Sequence, residues 1–284
     1  MKNSHQVIPQ KEITQTRTFQ VNAFVAKGCL GNPAGVCLLP VRRDVEYYRK
    51  VAVKMDMSET AFVLFEDGIY KLRWFTRNGS EVDLCGHATL AASHILWSKG
   101  YIAAKSPIFL DTRSGVLSAR QDGVFITLDF PRDAINEIKS NKPDLAASLG
   151  VTPLYIGKTQ FDYLVVVDAE ETVKNLTPDF AGLKKLTTRG VIVTAKAEGK
   201  QYDFVSRFFA PAVGIDEDPV TGSAHCALGS YWGAILKKKE LNGYQASREG
   251  GIVKVKVLKD RVLVGGKAKE ISLSAELKKA ILSY

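Results

Sequence analysis

Side chains able to do acid–base chemistry gather at three places in the 284-residue chain. Glu59 lies in SETAFV, Cys85 and His87 lie in DLCGHATLAASHILW, and Asp218 stands with Thr221, Ser223 and His225 in DPVTGSAHCALGSYW. Two carboxyl groups and an imidazole suit proton transfer, because one carboxyl can take a proton as base and return it as acid. Other chemistries lack their signatures. No Gly-x-Ser-x-Gly elbow is present for a serine nucleophile, and neither Gly-x-Gly-x-x-Gly nor a full Walker-type Gly-x-x-x-x-Gly-Lys-Ser/Thr loop is present, so no nucleotide or dinucleotide cofactor is expected. Cys85, His87, His225 and Cys226 lack structural-zinc spacing, so no metal is expected.

The second and third places echo one another. Each runs through a small polar turn with one glycine, Gly86 or Gly222, into an Ala-rich helical pattern, and the glycines are 222 − 86 = 136 residues apart, close to half the chain. A helix that starts at such a glycine leaves its first amides uncovered and carries roughly half a positive charge there, which suits a carboxylate. If the halves copy one fold, both helix N-termini would face one cleft, with Cys85, His87, Asp218 and Ser223 at its mouth. Small-residue helices that simply pack in a core are the competing explanation. Glu59 opens an apolar strand after a helix. It is either an ordinary solvated glutamate or, if buried, one whose pKa rises toward the range useful for proton transfer. Asn32, in the loop GCLGNP, either offers its amide to a ligand or serves the Asn-Pro turn.

The positioning elements follow from periodicity. Strands are expected at 16–26 and 34–40, a helix at 44–56, strands at 58–65 and 69–76, the helix from Gly86 to Lys99, and a three-stranded meander to about 131. After a polar linker at 131–141 the order returns: a short helix, two strands, a helical stretch broken at Thr177-Pro178, two strands, the helix after Gly222, three strands and a terminal helix. Strand-rich halves, each with an embedded helix, point to an α+β fold rather than a doubly wound one. The expected divisions are an extension at 1–16, a first domain at 17–131 and a second at 132–284.

Composition sets outer bounds. Hydrophobic content of 45% and charged content of 24% describe a globular protein with about two domains. No run is long and apolar enough to span a bilayer and the start lacks an apolar leader segment, so a cytoplasmic location without membrane attachment is expected. Four cysteines without paired spacing imply free thiols. The net charge of +9 comes from dispersed lysines without any nucleic-acid motif. A basic surface is expected rather than a nucleic-acid partner.

SETAFV, CGHAT, DEDPVTGSAH and the opening FQVNAF…GNPAGV together resemble the PhzF-like, or phenazine-biosynthesis-like, family over about residues 17–272. The resemblance implies a diaminopimelate-epimerase-like fold: two similar domains, each a barrel-like antiparallel sheet around a central helix, with the site between them. It implies a metal- and cofactor-independent isomerase that moves a proton between carbons of a small carboxylated metabolite. Glu59 would be the acid/base, with His87 and Asp218 assisting. Ser223 would contact substrate, and the residues' own chemistry adds Asn32, Cys85 and the amides at Gly86 and Gly222 as substrate-binding candidates, Cys85 being otherwise a small buried residue at a tight turn. A homodimer is also what the family implies. Related two-thiol epimerases place a cysteine before each helix glycine. Here Cys85 fills the first place but Thr221 the second, which argues against that mechanism. The alternative to an enzyme is a non-catalytic member of the same fold that binds a metabolite or a protein.

Overall fold

The computed structural model describes residues 9–139 and 142–284. Half of the expected N-terminal extension, residues 1–8, and the end of the expected linker, residues 140–141, lie outside the described residues. The chain forms two compact units. One comprises the chain through Val25, Pro33–Asp129 and Gly265–Tyr284, and the other comprises Ala26–Asn32 and Phe130–Val264.

In the first unit the strand Asn32–Leu39 pairs in parallel with Glu59–Glu66, which pairs antiparallel with Ile69–Thr76. That strand pairs in parallel with Ile108–Thr112, which turns back antiparallel into Gly115–Asp122. The second unit repeats the sequence of joins. Asp162–Val166 is parallel to Gly190–Lys196, which is antiparallel to Phe204–Phe209. Phe204–Phe209 is parallel to Glu240–Gln245, which is antiparallel to Gly251–Val257. A parallel join needs a crossover. The crossovers are the helices Val45–Met55 and Gly86–Ser98 in the first unit, and in the second the short helices Glu170–Lys174 and Phe180–Lys184, then Ala224–Leu236. The halves therefore share one topology, as their strand and helix order suggests, and the fold is α+β.

The helix Val45–Met55 shows how sequence sets an element here. Asp44 caps it by accepting from the Tyr47 amide at 2.8 Å, and Tyr47, Tyr48, Val51, Ala52 and Met55 form its buried stripe. Phe62, Phe75 and Leu39 pack against that stripe. The helix Gly86–Ser98 differs in kind, since eleven of its thirteen residues are buried. It is surrounded by protein, which is why its composition is small and apolar all round.

Two departures from the sequence expectation matter for the site. The last twenty residues return to the first unit: the strand Ala268–Ile271 pairs with Arg17–Ala23, and Leu273 and Ile281 join the core of the Val45–Met55 helix. The excursion Ala26–Asn32 leaves for the second unit, where the Leu30 and Gly31 amides donate to the Glu249 and Gly250 carbonyls. A contiguous division at 131/132 misses both, because each is a pairing between segments far apart in the chain. The strand Glu240–Gln245 was also not expected. Its inward positions are Leu241, Gly243 and Gln245, and a glycine and a glutamine hide the apolar alternation.

Candidate active site

In the first unit, Glu59 is the first residue of its strand and His87 is the second residue of its helix. Both are buried, at 8% and 4% exposure. The His87 Nε2 lies 3.3 Å from a carboxylate oxygen of Glu59 and 3.3 Å from Ser58 Oγ. Ser58 donates its hydroxyl hydrogen to the Pro33 carbonyl at 3.1 Å, so it presents a lone pair to the imidazole. Nε2 then carries the ring hydrogen and Nδ1 is an acceptor. The Cys85 Sγ lies 3.5 Å from that Nδ1, in place to donate its thiol hydrogen. Burial drives the His87 pKa down to about 3, so the ring is neutral at ordinary pH. The set is a neutral imidazole with a thiol on one nitrogen and a buried carboxyl on the other.

Among the described residues, the same three side chains form a group that could hold a metal. Ligand atoms of Glu59, Cys85 and His87 all lie within 4.8 Å of one another.

In the second unit, Asp218, four residues before Gly222 in the connecting loop, is buried at 8% exposure. Asn32 donates to its Oδ1 at 2.8 Å, and Thr221 Oγ1 donates to its Oδ2 at 2.5 Å. Burial lifts the Asp218 pKa to about 6, against the pull of those two hydrogen bonds and of Arg189. Asn32 gives its amide a second acceptor, the Val220 carbonyl at 2.9 Å. The side chain expected to offer its amide to a ligand thus spends that amide on Asp218 and Val220, which explains why Ala26–Asn32 joins this unit. Arg189 makes a two-pronged bond to buried Asp162 and donates to Ser223 Oγ at 3.1 Å. That leaves the Ser223 hydroxyl hydrogen as a donor.

Gln245, which the sequence reading missed, ties this loop together. Its Oε1 accepts from the Thr221 amide at 2.9 Å, and its Nε2 donates to the Asp218 carbonyl at 2.7 Å and to Thr221 Oγ1 at 3.2 Å. Ser58 and Arg189 were missed as well. Ser58 had a signal in its adjacency to Glu59, whereas Arg189 lies in the featureless TTRG and had none.

Gly86 starts its helix as expected, but the other helix begins at Ala224, two residues after Gly222. There the His225 amide bonds to the Gly222 carbonyl, three residues back, so the α-helical ladder starts late. Neither glycine is left-handed. What they contribute is an amide with no side chain beside it.

With the motif residues assembled in each unit, the comparison with known sequences decides the kinship: residues 21–272 match the family described as phenazine biosynthesis-like protein. The chain belongs to that family. It is 50% identical over 254 residues, 89% of its length and 95% of the relative's, to an "Uncharacterized isomerase" of Halalkalibacterium halodurans. A second relative so named, from Pseudomonas aeruginosa, is 46% identical over 252 residues, covering 88% and 94% of the two chains. Among solved structures, a phenazine biosynthesis protein of the PhzF family from Enterococcus faecalis superposes with a TM-score of 0.82 at 39% identity, covering 90% of this chain and 98% of that one. By this kinship the phenazine biosynthesis-like chain is an isomerase. All four of its cysteines are free thiols. Among the described residues, no helix is long and apolar enough to cross a membrane.

Proposed function

We propose that this phenazine biosynthesis-like isomerase moves a proton between two carbons of a small carboxylated metabolite, with Glu59 as general acid and base and without metal or organic cofactor. The observation that carries the reading is the placement of Glu59. It is a carboxyl at the end of a strand, nearly enclosed, 3.3 Å from an imidazole that burial keeps neutral. A neutral Nε2–H steadies the carboxylate without permanently neutralising it, so the carboxyl remains free to accept a carbon-bound proton and to return it. His87 acts here as an orienting donor rather than as a second base. Asp218, with a pKa near the working range, serves as a partner in proton placement. The Gly86 amide in the first turn of its helix, the Gly222 amide just ahead of the other helix and the Ser223 hydroxyl are the groups suited to an anionic substrate.

Incubation in deuterated water should place deuterium in a small carboxylated substrate, and Glu59→Gln should abolish that exchange while the variant melts like the parent. The screen begins with small carboxylic acids bearing an acidified C–H. Undiminished exchange by a folded Glu59→Gln protein would refute the assignment of the base.

A further inference from the structure

The residue three places beyond each helix glycine is Thr89 in one unit and His225 in the other, since 89 − 86 = 3 and 225 − 222 = 3. Both are fully buried. Thr89 Oγ1 donates to the carbonyl of Cys85 at 2.5 Å, and His225 Nδ1 contacts the carbonyl of Thr221 at 2.8 Å. A carbonyl only accepts, so Nδ1 must carry the hydrogen. Cys85 and Thr221 are the residues immediately before the two glycines. Two unlike side chains therefore grip the same peptide group in each repeat.

In a trans peptide the C=O and the following N–H point in opposite directions, and no peptide bond in the described chain is cis. Tying the carbonyl of residue 85 or 221 into the interior fixes the opposite aim of the Gly86 or Gly222 amide. We infer that Thr89 and His225 are paired positioning residues, each locking one glycine N–H in the orientation in which it receives the substrate's anionic group. This rests on the proposed function for the nature of the ligand, and on hydrogen-bond geometry alone for the clamp.

Two further observations favour the clamp over ordinary core filling. At Thr221 the backbone ladder does not supply a donor, because the His225 amide goes to Gly222 instead, so the imidazole replaces a missing helical bond. At Cys85, by contrast, the Thr89 amide also donates to the carbonyl, at 3.2 Å, and the hydroxyl reinforces it. The other ring nitrogen, Nε2, is buried among the described residues without any hydrogen-bond partner. A phenyl ring would fill the space beside Phe204 and Gly243 without that cost. What the imidazole adds is the Nδ1–H. Gln245, on the amide of the same Thr221, fixes the residue from its other side.

The test uses the full chain labelled with ¹⁵N-glycine and ¹⁵N-histidine, titrated with acetate as the anion and acetamide as its neutral control. In the parent, the Gly86 and Gly222 amide resonances should shift with acetate and not with acetamide, and His225 should be the Nδ1–H tautomer. His225→Phe should displace the Gly222 resonance in the free protein and weaken its acetate response about tenfold, the loss of one charge-assisted hydrogen bond, with Gly86 unaffected. Thr89→Val should displace the Gly86 resonance and weaken its acetate response by a smaller factor, because the Thr89 amide still donates to the Cys85 carbonyl, with Gly222 unaffected. Thr89→Ser and His225→Asn, which keep a donor, should restore both. Unmoved glycine resonances and parental acetate affinity in the Val and Phe variants would overturn the clamp. An Nε2–H tautomer at His225 in the parent would overturn it without recourse to any variant. Parental glycines blind to acetate would overturn the anion role, and if Glu59→Gln still abolishes exchange the proposed reaction survives that result.

Discussion

Asp218 sits between opposing influences, with burial pushing its proton affinity up and two donated hydrogen bonds pulling it down to a pKa of about 6. Removing one donor should let burial win. Asn32→Ala deletes the 2.8 Å bond to Oδ1, a hydrogen bond to a charged group worth about 1.5–3 kcal/mol, so the Asp218 pKa should rise by about one to two units. A ¹³C titration of the aspartate carboxyls reads this directly, and an unmoved Asp218 would show that Asn32 serves the Val220 carbonyl alone. At this scale the sequence was legible where chemistry was concentrated in a short motif, as for Glu59, His87 and Asp218. It was silent on Gln245 and Arg189, whose importance comes from what the fold brings beside them rather than from their neighbours in the chain.

The buried helices are where close approach sets the limits. A methyl group at Gly229 would lie 2.4 Å from Val255 Cγ1, in a strand residue that is itself only 2% exposed. Alanine normally strengthens a helix by about 1 kcal/mol over glycine. Here overpacking should prevail, and Gly229→Ala should lower stability by about 1–3 kcal/mol in urea unfolding. The double variant Gly229→Ala/Val255→Ala should be less destabilised than the sum of its parts, since the second change removes the obstruction. Element by element, the helices and most strands were visible as periodic apolar patterns. Glu240–Gln245 was not, because two of its three inward residues are Gly243 and Gln245. The late start of the helix at Ala224 was equally hidden, as it depends on which donor reaches the Thr221 carbonyl.

For the molecule as a whole, buried titrating groups set the response to acid. His87 and His225 have folded pKa values of about 3 and about 4 against 6.5 when exposed. The unfolded chain therefore takes up protons that the native chain refuses, and the stability they confer, complete above pH 6.5, is lost as pH falls through those folded values. Asp218 has the opposite sign. With its pKa raised from 3.8 to about 6, its contribution is complete below 3.8 and is lost as pH rises through about 6. Two imidazoles outweigh one carboxyl between pH 6.5 and 4. Stability should rise with pH there by about 1.4 kcal/mol per unit, the linkage of one net proton. His225→Asn, which keeps the donor but not the titration, should flatten that slope in urea midpoints measured across the range.

The return of Ala268–Ile271 and Ala275–Leu282 to the first unit has a consequence for biogenesis. A chain emerging from the ribosome releases Ala268–Ile271 long after Arg17–Ala23, the strand it pairs with, so the unit that begins first is finished second. The later-made unit, bounded by Phe130 and Val264 apart from the early loop Ala26–Asn32, leaves the exit tunnel ahead of Ala268–Ile271 and Ala275–Leu282, which the earlier unit still needs. Until that returning segment emerges, the margin of Arg17–Ala23 that Ala268–Ile271 covers and the face of the Val45–Met55 helix that Leu273 and Ile281 cover are the surfaces that a chaperone would shield.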